Sequence, residues 1–347
     1  MKKTRVAING FGRIGRTFFR MAYGNPAFDI VAINDLGDIE NLAYLLTYDT
    51  VYGRSPYTVS VEGGNLIVDG TTIKCFAERE PKKLPWKSEN IDIVVEATGI
   101  FASYEKAKVH LAAGAKRVVI SAPVKDDPVA AGVTGATVLM GVNESELETC
   151  QISSNASCTT NATSPLIAIL KNSIGIEKAI LNTVHGYTAS QSLVDGPNKK
   201  DFREGRAAAQ NIVPTSTGAA VATTMAHTEL TGKFDGIAMR VPVPVGSIVD
   251  VTFLASKETT VEEVNEALRS AAASLEWKDL FAVTEEPIVS SDIIGAHFAS
   301  IADLSFTRVV DGNLVKVLAW YDNETSYTHT LVAHVAAIAR FFNKGNS

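Results

Sequence analysis

Short apolar runs alternate with helix-length amphipathic stretches along the first half of the chain. Strands that alternate with helices form parallel βαβ units, so this half predicts an α/β fold with a doubly wound parallel sheet. One segment, Val59–Lys74, breaks the rhythm, because its glycine-containing turns are typical of a small hairpin insertion. The predicted strands include Val6–Ile8, Ile30–Ile33, Ile91–Val95, Val118–Ile120 and Val138–Met140, and the predicted helices include Ile14–Ala22 and Tyr104–Ala113.

The pattern changes near residue 157, where longer strand-like stretches replace the regular alternation. This half predicts a second, α+β domain with a mixed or antiparallel sheet. We expect domains at 1–156 and 157–321, with a terminal helix at about 322–347 that joins the first domain. The predicted helices are Thr160–Lys171, one around Val261–Leu268 and Tyr327–Phe342, and the strand-like stretches are Lys178–Val184, Ile237–Leu254, Ser300–Val309 and Asn313–Tyr321.

Composition excludes several classes of protein. A length of 347 residues favours two domains, because single cores stop growing at roughly 250–300 residues. The net charge of −6 argues against nucleic acid or anionic lipid as the main partner. No apolar run approaches the roughly 18 residues that a membrane span needs, and the N-terminus has no leader-like pattern. Three cysteines do not suggest a disulfide framework, so we expect a soluble, cytoplasmic protein without a membrane or nucleic-acid partner.

A dinucleotide site is predicted at the start of the chain. Gly10, Gly12 and Gly15 form a G-x-G-x-x-G motif between a strand and a helix, where glycines allow a tight turn and close approach to a pyrophosphate. Asp35 lies at the tip of the next strand, about where a carboxylate binds the ribose 2′-hydroxyl and repels a 2′-phosphate. The alternative interpretation is an ordinary turn with a capping aspartate. The combined spacing favours a Rossmann-type domain that binds NAD rather than NADP.

Cys158 is the candidate nucleophile. It lies in the segment Ser154–Asn161, after an apolar strand and at the start of a predicted helix that Ser157 or Asn155 can cap. A helix start stabilises a thiolate, so we expect a lowered pKa for this thiol. An isolated cysteine is more often a small buried apolar side chain, and that interpretation suits Cys75 and Cys150 better.

His185 is the candidate base. A thiol nucleophile needs a proton acceptor close by, and His185 ends the strand-like run 180–184 beside Gly186. Strand ends that lead into glycine-containing loops present side chains to clefts. Spacing alone does not decide whether His185 pairs with Cys158 or the two residues have independent roles. The other five histidines are interpreted as surface or helix-packing residues. No metal site is predicted.

Taken together, these motifs resemble glyceraldehyde-3-phosphate dehydrogenase, the phosphorylating NAD-dependent enzyme of glycolysis, over almost the whole chain. The matching stretches are Ile8–Arg16, Ser154–Asn161, His185–Gln191, Ala207–Pro214, Thr215–Ala220, Met239–Pro242 and Trp320–Glu324. The resemblance implies that Cys158 forms a thiohemiacetal and then a thioester, with His185 as base. Inorganic phosphate then cleaves the thioester to give 1,3-bisphosphoglycerate. It also implies a homotetramer.

The resemblance assigns further binding residues. Thr188 and Arg240 would hold the substrate phosphate, and Ser157, Thr159, Thr217 and Gly218 the attacking phosphate. An internal ion pair is the alternative role for Arg240. Asn323 would contact the nicotinamide. The remaining cofactor residues would be Gly10, Phe11, Gly12, Arg13, Ile14, Gly15, Asp35, Glu78, Arg79, Thr98 and Ser121.

The chain departs from the family pattern at several positions, and two alternative functions stay open. Thr325 and Ser326 stand where the family has Trp-Gly, which leaves the packing around Asn323 and Tyr327 open, and Val245 stands where Asn is common. One alternative is a relative that oxidises erythrose 4-phosphate, although Gly186–Gln191 favours the triose. The other is a catalytically idle NAD-binding or nucleic-acid-binding protein, which an intact Cys158 disfavours.

Overall fold

The computed structural model describes residues 3–199 and 201–344, and the chain divides into two compact units. Unit 1 contains residues 1–156 and 328–347, and unit 2 contains residues 157–327. Unit 1 carries the parallel sheet and unit 2 a mixed sheet, so the predicted combination of an α/β and an α+β architecture is confirmed.

Unit 1 is built on a nine-stranded sheet with the order β10-β11-β9-β8-β1-β2-β7-β6-β5. Its central strands are parallel, and their apolar runs are buried on both faces, as parallel sheets covered by helices require. The elements are β1 (Thr4–Asn9), α1 (Arg13–Ala22), β2 (Phe28–Asn34), α2 (Ile39–Thr47), β3 (Tyr48–Asp49), β4 (Gly53–Arg54), β5 (Val59–Glu62), β6 (Asn65–Val68), β7 (Thr71–Phe76), β8 (Ile93–Glu96), α3 (Tyr104–Ala112), β9 (Arg117–Ile120), β10 (Gly135–Thr137) and β11 (Ile152–Ser154).

Two predictions for unit 1 differ from the structure. The strand expected at Val138–Met140 is wrong, because β10 ends at Thr137 and the next three residues are buried without forming a strand. An apolar run of three residues does not distinguish a strand from a buried irregular segment. The insertion at Val59–Lys74 is confirmed as antiparallel, and it is larger than a hairpin, since β5, β6 and β7 form three neighbouring strands.

Unit 2 contains a seven-stranded sheet with the order β13-β14-β12-β15-β18-β17-β16. The sheet is mixed, because β12 runs parallel to β14 and antiparallel to β15. The stretch predicted at Ile237–Leu254 is two strands with a loop between them. The elements are α4 (Cys158–Ser173), β12 (Ile176–Gly186), β13 (Val213–Ser216), α5 (Ala219–Ala226), β14 (Phe234–Val241), β15 (Ser247–Ala255), α6 (Val261–Ala272), β16 (Phe281–Thr284), β17 (Ser300–Val310) and β18 (Leu314–Tyr321); α7 (Thr325–Lys344) starts here and continues into unit 1.

The helix α4 is the centre of unit 2. Every residue from Thr159 to Leu170 is buried, and α4 packs on strands of the sheet as well as on α5 and α6. A helix that is buried on all sides holds its first turn rigidly, because surrounding elements fix both its axis and its rotation. Cys158, the first residue of α4, is therefore held in a fixed position.

No helix in the described part of the chain is long and apolar enough to cross a membrane. Within the same residues, no group of three or more His, Cys, Asp or Glu side chains is arranged to hold a metal ion.

Candidate active site

A cavity of about 430 Å³ opens at the carboxyl edge of the parallel sheet in unit 1. Chain segments that follow β1, β2, β7 and β8 form its walls, which is where open α/β sheets bind their ligands. The lining residues are Asn9, Gly10, Gly12, Asn34, Asp35, Leu36, Glu78, Arg79, Pro81, Ala97, Thr98, Ile100 and Phe101.

The three glycines of the loop serve three different purposes. Gly10 has a φ of +96°, and a Cβ there would lie 2.7 Å from the Thr98 nitrogen. A Cβ on Gly15 would lie 2.1 Å from the Gly10 carbonyl oxygen, so this glycine permits the helix to pack on the loop. Gly12 lines the cavity and has open space beside it, which leaves room for a ligand next to the start of α1.

Asp35 lines this cavity, whereas the predicted cofactor residue Arg13 does not. One Asp35 oxygen accepts a hydrogen bond from the Phe11 N–H at 2.6 Å, and the other accepts from the Gly37 N–H at 2.8 Å. The Arg13 guanidinium pairs with Asp49 at 2.5 Å and lies over the Tyr52 ring. The Arg13 side chain therefore contacts the segment that contains Asp49 and Tyr52.

The structure brings together only part of the predicted cofactor set. Six predicted residues line the cavity: Gly10, Gly12, Asp35, Glu78, Arg79 and Thr98. Phe11 is fully buried and does not line the cavity, and Ser121 donates its N–H to the Glu96 carbonyl. Asn323 belongs to unit 2. The glycine motif identified the turn but not Asn9 and Asn34, which also line the cavity. Their polar side chains at the ends of two predicted strands were the sequence feature that could have identified them.

In unit 2, the first turn of α4 presents Cys158. Of the two predicted cap residues, Ser157 is the N-cap, and its Oγ accepts a hydrogen bond from the Thr160 N–H at 3.2 Å. The Cys158 Sγ lies 3.3 Å from Nε2 of His185, at the end of β12. The pairing that spacing left open is thus present in the geometry.

His185 is oriented for proton transfer. Its Nδ1 lies 2.6 Å from the Gly186 carbonyl oxygen, which only accepts, so Nδ1 carries the proton and Nε2 faces the thiol with a lone pair. The Tyr321 ring packs edge-on against the imidazole at 5.9 Å. The Tyr321 hydroxyl bonds the hydroxyls of Thr159 and Thr183 at 2.9 and 2.8 Å. Sequence reasoning missed Tyr321, because its role depends on the pairing of β18 with β15.

The pKa values of this pair correct the expectation of a thiolate. Burial raises the pKa of the Cys158 thiol, although Arg240 and hydrogen bonds from Thr159 act in the opposite direction. Burial, assisted by Arg240, lowers the pKa of His185 to about 3. The site therefore contains a neutral thiol beside a neutral imidazole at neutral pH. The stabilisation of a thiolate by the start of α4 is smaller than the effect of burial, which disfavours the charged thiolate.

Arg240 is the cation of the site. It lies on β14 directly opposite His185 of β12, and its charge acts on the pKa values of both Cys158 and His185. Its Nε is buried and has no hydrogen-bond partner among the described residues, where no carboxylate pairs with it either. The alternative role in an internal ion pair is therefore not supported, and the guanidinium is poised to bind an anion.

The other predicted phosphate residues have separate local roles. The Thr188 Oγ1 lies 3.0 Å from the Ser190 hydroxyl in the loop after β12. Thr217 accepts a hydrogen bond from the Ala219 N–H at 3.2 Å, and Gly218 is the N-cap of α5 with open space beside it. Gly218 is exposed, whereas Ala219 and Ala220 at the start of α5 are buried.

Asn323 and the segment that departs from the family pattern both have hydrogen-bond partners within unit 2. The Asn323 Oδ1 accepts hydrogen bonds from the Gly246 N–H at 3.0 Å and the Ser247 hydroxyl at 3.2 Å, which leaves its NH₂ group as the donor. The Ser326 Oγ accepts from the Asp322 N–H and donates to the Ala296 carbonyl, both at 3.0 Å. The substituted segment thus stabilises the loop that carries Asn323. Val245 is buried nearby.

Comparison with known proteins covers both units. The family model described as "Glyceraldehyde 3-phosphate dehydrogenase, NAD binding domain" matches residues 4–104, and the corresponding C-terminal domain model matches residues 157–323. Glyceraldehyde-3-phosphate dehydrogenase of Geobacillus stearothermophilus is 49% identical over 337 residues, covering 96% of this chain and 98% of that protein. Glyceraldehyde-3-phosphate dehydrogenase 1 of Bacillus subtilis strain 168 is 47% identical over 338 residues, covering 97% and 98%.

Proposed function

Because the chain belongs to the glyceraldehyde-3-phosphate dehydrogenase family, we propose that Cys158 and His185 together carry out the phosphorylating oxidation of its substrate. The protein is an NAD-dependent oxidoreductase of glycolysis, and its substrate is glyceraldehyde 3-phosphate. We propose in addition that inorganic phosphate accepts the acyl group and that individual residues have the roles described below. The observation that carries them is the 3.3 Å approach of Cys158 Sγ to His185 Nε2 beside an uncompensated Arg240.

The first step is attack of the Cys158 sulfur on the aldehyde carbon. Nε2 of His185 accepts the thiol proton and passes it to the carbonyl oxygen, which gives a neutral thiohemiacetal. The same Nε2 then removes the hydroxyl proton, which favours collapse towards a thioester on Cys158. The Gly186 carbonyl stabilises the protonated imidazole through Nδ1–H, so the base keeps its orientation in both states.

The cavity of unit 1 fits a dinucleotide. Its glycine turn, the open space beside Gly12 and the Asp35 carboxylate are complementary to a pyrophosphate and a ribose. Gly10, Gly12, Asp35, Arg79 and Thr98 would therefore hold the adenosine half, and the Asn323 NH₂ group would bind the carboxamide. NAD supplies, when bound, the hydride acceptor that turns the thiohemiacetal into a thioester. We accordingly assign 1–156 with the terminal helix to cofactor binding and 157–321 to catalysis.

The thioester then transfers its acyl group to inorganic phosphate. Attack by a phosphate oxygen on the thioester carbon breaks the C–S bond, and His185 returns its proton to the leaving sulfur. Arg240 and Thr188 would bind the phosphate of the substrate. Ser157, Thr159, Thr217 and Gly218 would bind the attacking phosphate, through hydroxyls and the N–H groups at two helix starts.

We also propose a homotetramer in the cytoplasm. The loop 187–210 exposes large apolar side chains, with Leu193 at 79%, Val194 at 72% and Phe202 at 87% of their full accessible surface. Such side chains on a surface loop favour burial against another subunit. All three cysteines are free thiols, which suits a reducing compartment.

Replacing Arg240 with leucine tests the anion site. We expect kcat/KM for glyceraldehyde 3-phosphate to fall about 10- to 100-fold, because a charge-assisted hydrogen bond contributes roughly 1.5–3 kcal/mol. The KM for NAD should stay within about threefold of the parent value. Arg269→Leu is the matched control, because Arg269 is an exposed residue whose ion pair with Glu285 contributes little. Equal kcat/KM values for the Arg240 variant and the parent would contradict the assignment.

A further inference from the structure

A buried carboxylate, Glu96, lies at the end of β8 next to the cofactor cavity without being part of its lining. Glu96 is 2% exposed, and four donors surround it. Its Oε2 accepts from Asn9 Nδ2 at 2.6 Å and from His110 Nε2 at 2.9 Å, and its Oε1 accepts from the Thr98 N–H at 2.8 Å and the Thr98 hydroxyl. Four donors match the accepting capacity of one carboxylate.

His110 contributes a donor of fixed direction. The Trp86 Nε1–H donates to His110 Nδ1 at 3.1 Å, so the ring proton lies on Nε2 and points at Glu96. His110 and Trp86 are both fully buried, so neither side chain can exchange its hydrogen-bond partner for water. The sequence-based interpretation of His110 as a surface or packing residue therefore misses its polar role.

The hydrogen bonds continue from Glu96 to the far walls of the cavity. Asn9 Oδ1 accepts from Asn34 Nδ2 at 2.7 Å. Asn34 in turn bonds the backbone of Glu78 in both directions, donating to its carbonyl at 3.0 Å and accepting from its N–H at 2.8 Å. The side-chain amide of Asn34 thus makes the pair of backbone hydrogen bonds at Glu78, before Arg79, that a neighbouring strand would otherwise make.

The cavity has four walls, at the carboxyl ends of β1, β2, β7 and β8, and the network bonds one residue in each of them: Asn9, Asn34, Glu78 and Thr98. We propose that Glu96, supported by His110, is a positioning residue that holds these walls in the geometry that binds the adenosine half of NAD. This inference rests on the cofactor assignment above. It goes beyond that assignment because neither Glu96 nor His110 lines the cavity.

General stability is a weaker explanation for the network. A buried carboxylate and its partners contribute little net stability compared with apolar side chains of the same volume, because desolvation offsets their attraction. A network that bonds every wall of one cavity has its main effect on the shape of that cavity. Its loss should therefore weaken ligand binding more than it weakens the fold.

The test is Glu96→Gln, with ADP-ribose and NAD binding measured by titration calorimetry on the whole protein. A glutamine places an NH₂ group against two of the four donors, so both ligands should bind at least about tenfold more weakly, a change of 1.4 kcal/mol. At saturating NAD, kcat and the KM for glyceraldehyde 3-phosphate should stay within about threefold, because the chemistry lies on other residues. His110→Phe keeps a ring of similar shape and should weaken ADP-ribose in the same direction, even if Glu96→Gln fails to fold.

His334→Gln is the matched control, because His334 is another fully buried histidine of unit 1, bonded to Ser153 and Asn155 instead of the cavity walls. It should lower the unfolding temperature without changing ADP-ribose affinity. Parent-like affinity in both the Glu96 and His110 variants, or an equal loss in the His334 variant, would overturn the positioning role. A parent protein that fails to bind ADP-ribose at all would instead overturn the cofactor cavity, and the inference with it.

Discussion

Replacing Cys158 with serine is expected to lower kcat by at least about a thousandfold, because a serine hydroxyl is a far weaker nucleophile than a thiol at neutral pH. The hydroxyl would occupy the place of Sγ at the first residue of α4, so the helix and its Ser157 cap should be retained. NAD binding should be unchanged within about threefold, because the proposed adenosine site lies on unit 1 residues. The measurement pairs steady-state NADH production with calorimetric titration of NAD.

Cys75→Ser is the control for this experiment. Cys75 is also a partly buried free thiol, and its Sγ lies 3.5 Å from the Ile73 carbonyl, a contact that a serine hydroxyl can reproduce. It should retain activity within about twofold. Activity of the Cys158 variant within tenfold of the parent would show that another group attacks the aldehyde.

Replacing His185 with glutamine is expected to lower kcat about 10²- to 10⁴-fold, which is the usual contribution of a positioned general base. The neutral imidazole accepts the thiol proton through Nε2 at 3.3 Å. The rate of Cys158 alkylation by iodoacetamide should fall as well, because the thiol loses its proton acceptor. A purely structural role would not change that rate in a folded variant.

His227→Gln is the control for His185, because His227 is buried in the same unit and bonded to Ser164. It should leave the alkylation rate unchanged. If the His185 variant alkylates as fast as the parent while still folding, the base must be another group.

Local features of both sites were predictable from the sequence. The glycine loop and Asp35 follow from strand, turn and helix spacing, and the structure gives Gly10 and Gly15 close contacts that exclude a side chain. The Ser157 cap and the start of α4 at Cys158 follow from the local preference of serine for helix starts. These features depend on residues that are neighbours along the chain.

Features that depend on tertiary register were not predictable. Arg240 meets His185 only because β14 pairs with β12 in one register, and Tyr321 reaches Thr159 only because of where β18 lies. The helix-start argument predicted a lowered pKa for Cys158, whereas burial, which no local pattern reports, raises it.

Some whole elements were missed for a related reason. The helix α5 (Ala219–Ala226) was not predicted, because its alanines and threonines give almost no polar face to compare with an apolar one. Its start supplies backbone donors next to Thr217 and Gly218, so the missed element belongs to the proposed phosphate site. The resemblance named these residues, but the periodicity of the chain did not.

The central claim is that Cys158 carries an acyl group until phosphate removes it, and a rapid-mixing experiment with glyceraldehyde 3-phosphate and NAD tests it most directly. Without phosphate or arsenate, we predict a burst of no more than one NADH per Cys158, followed by little turnover, and a mass increase on the Cys158 peptide equal to the acyl group. Adding phosphate should restore steady turnover and remove the added mass. Sustained turnover without either anion, or an unmodified Cys158 peptide after the burst, would contradict the account.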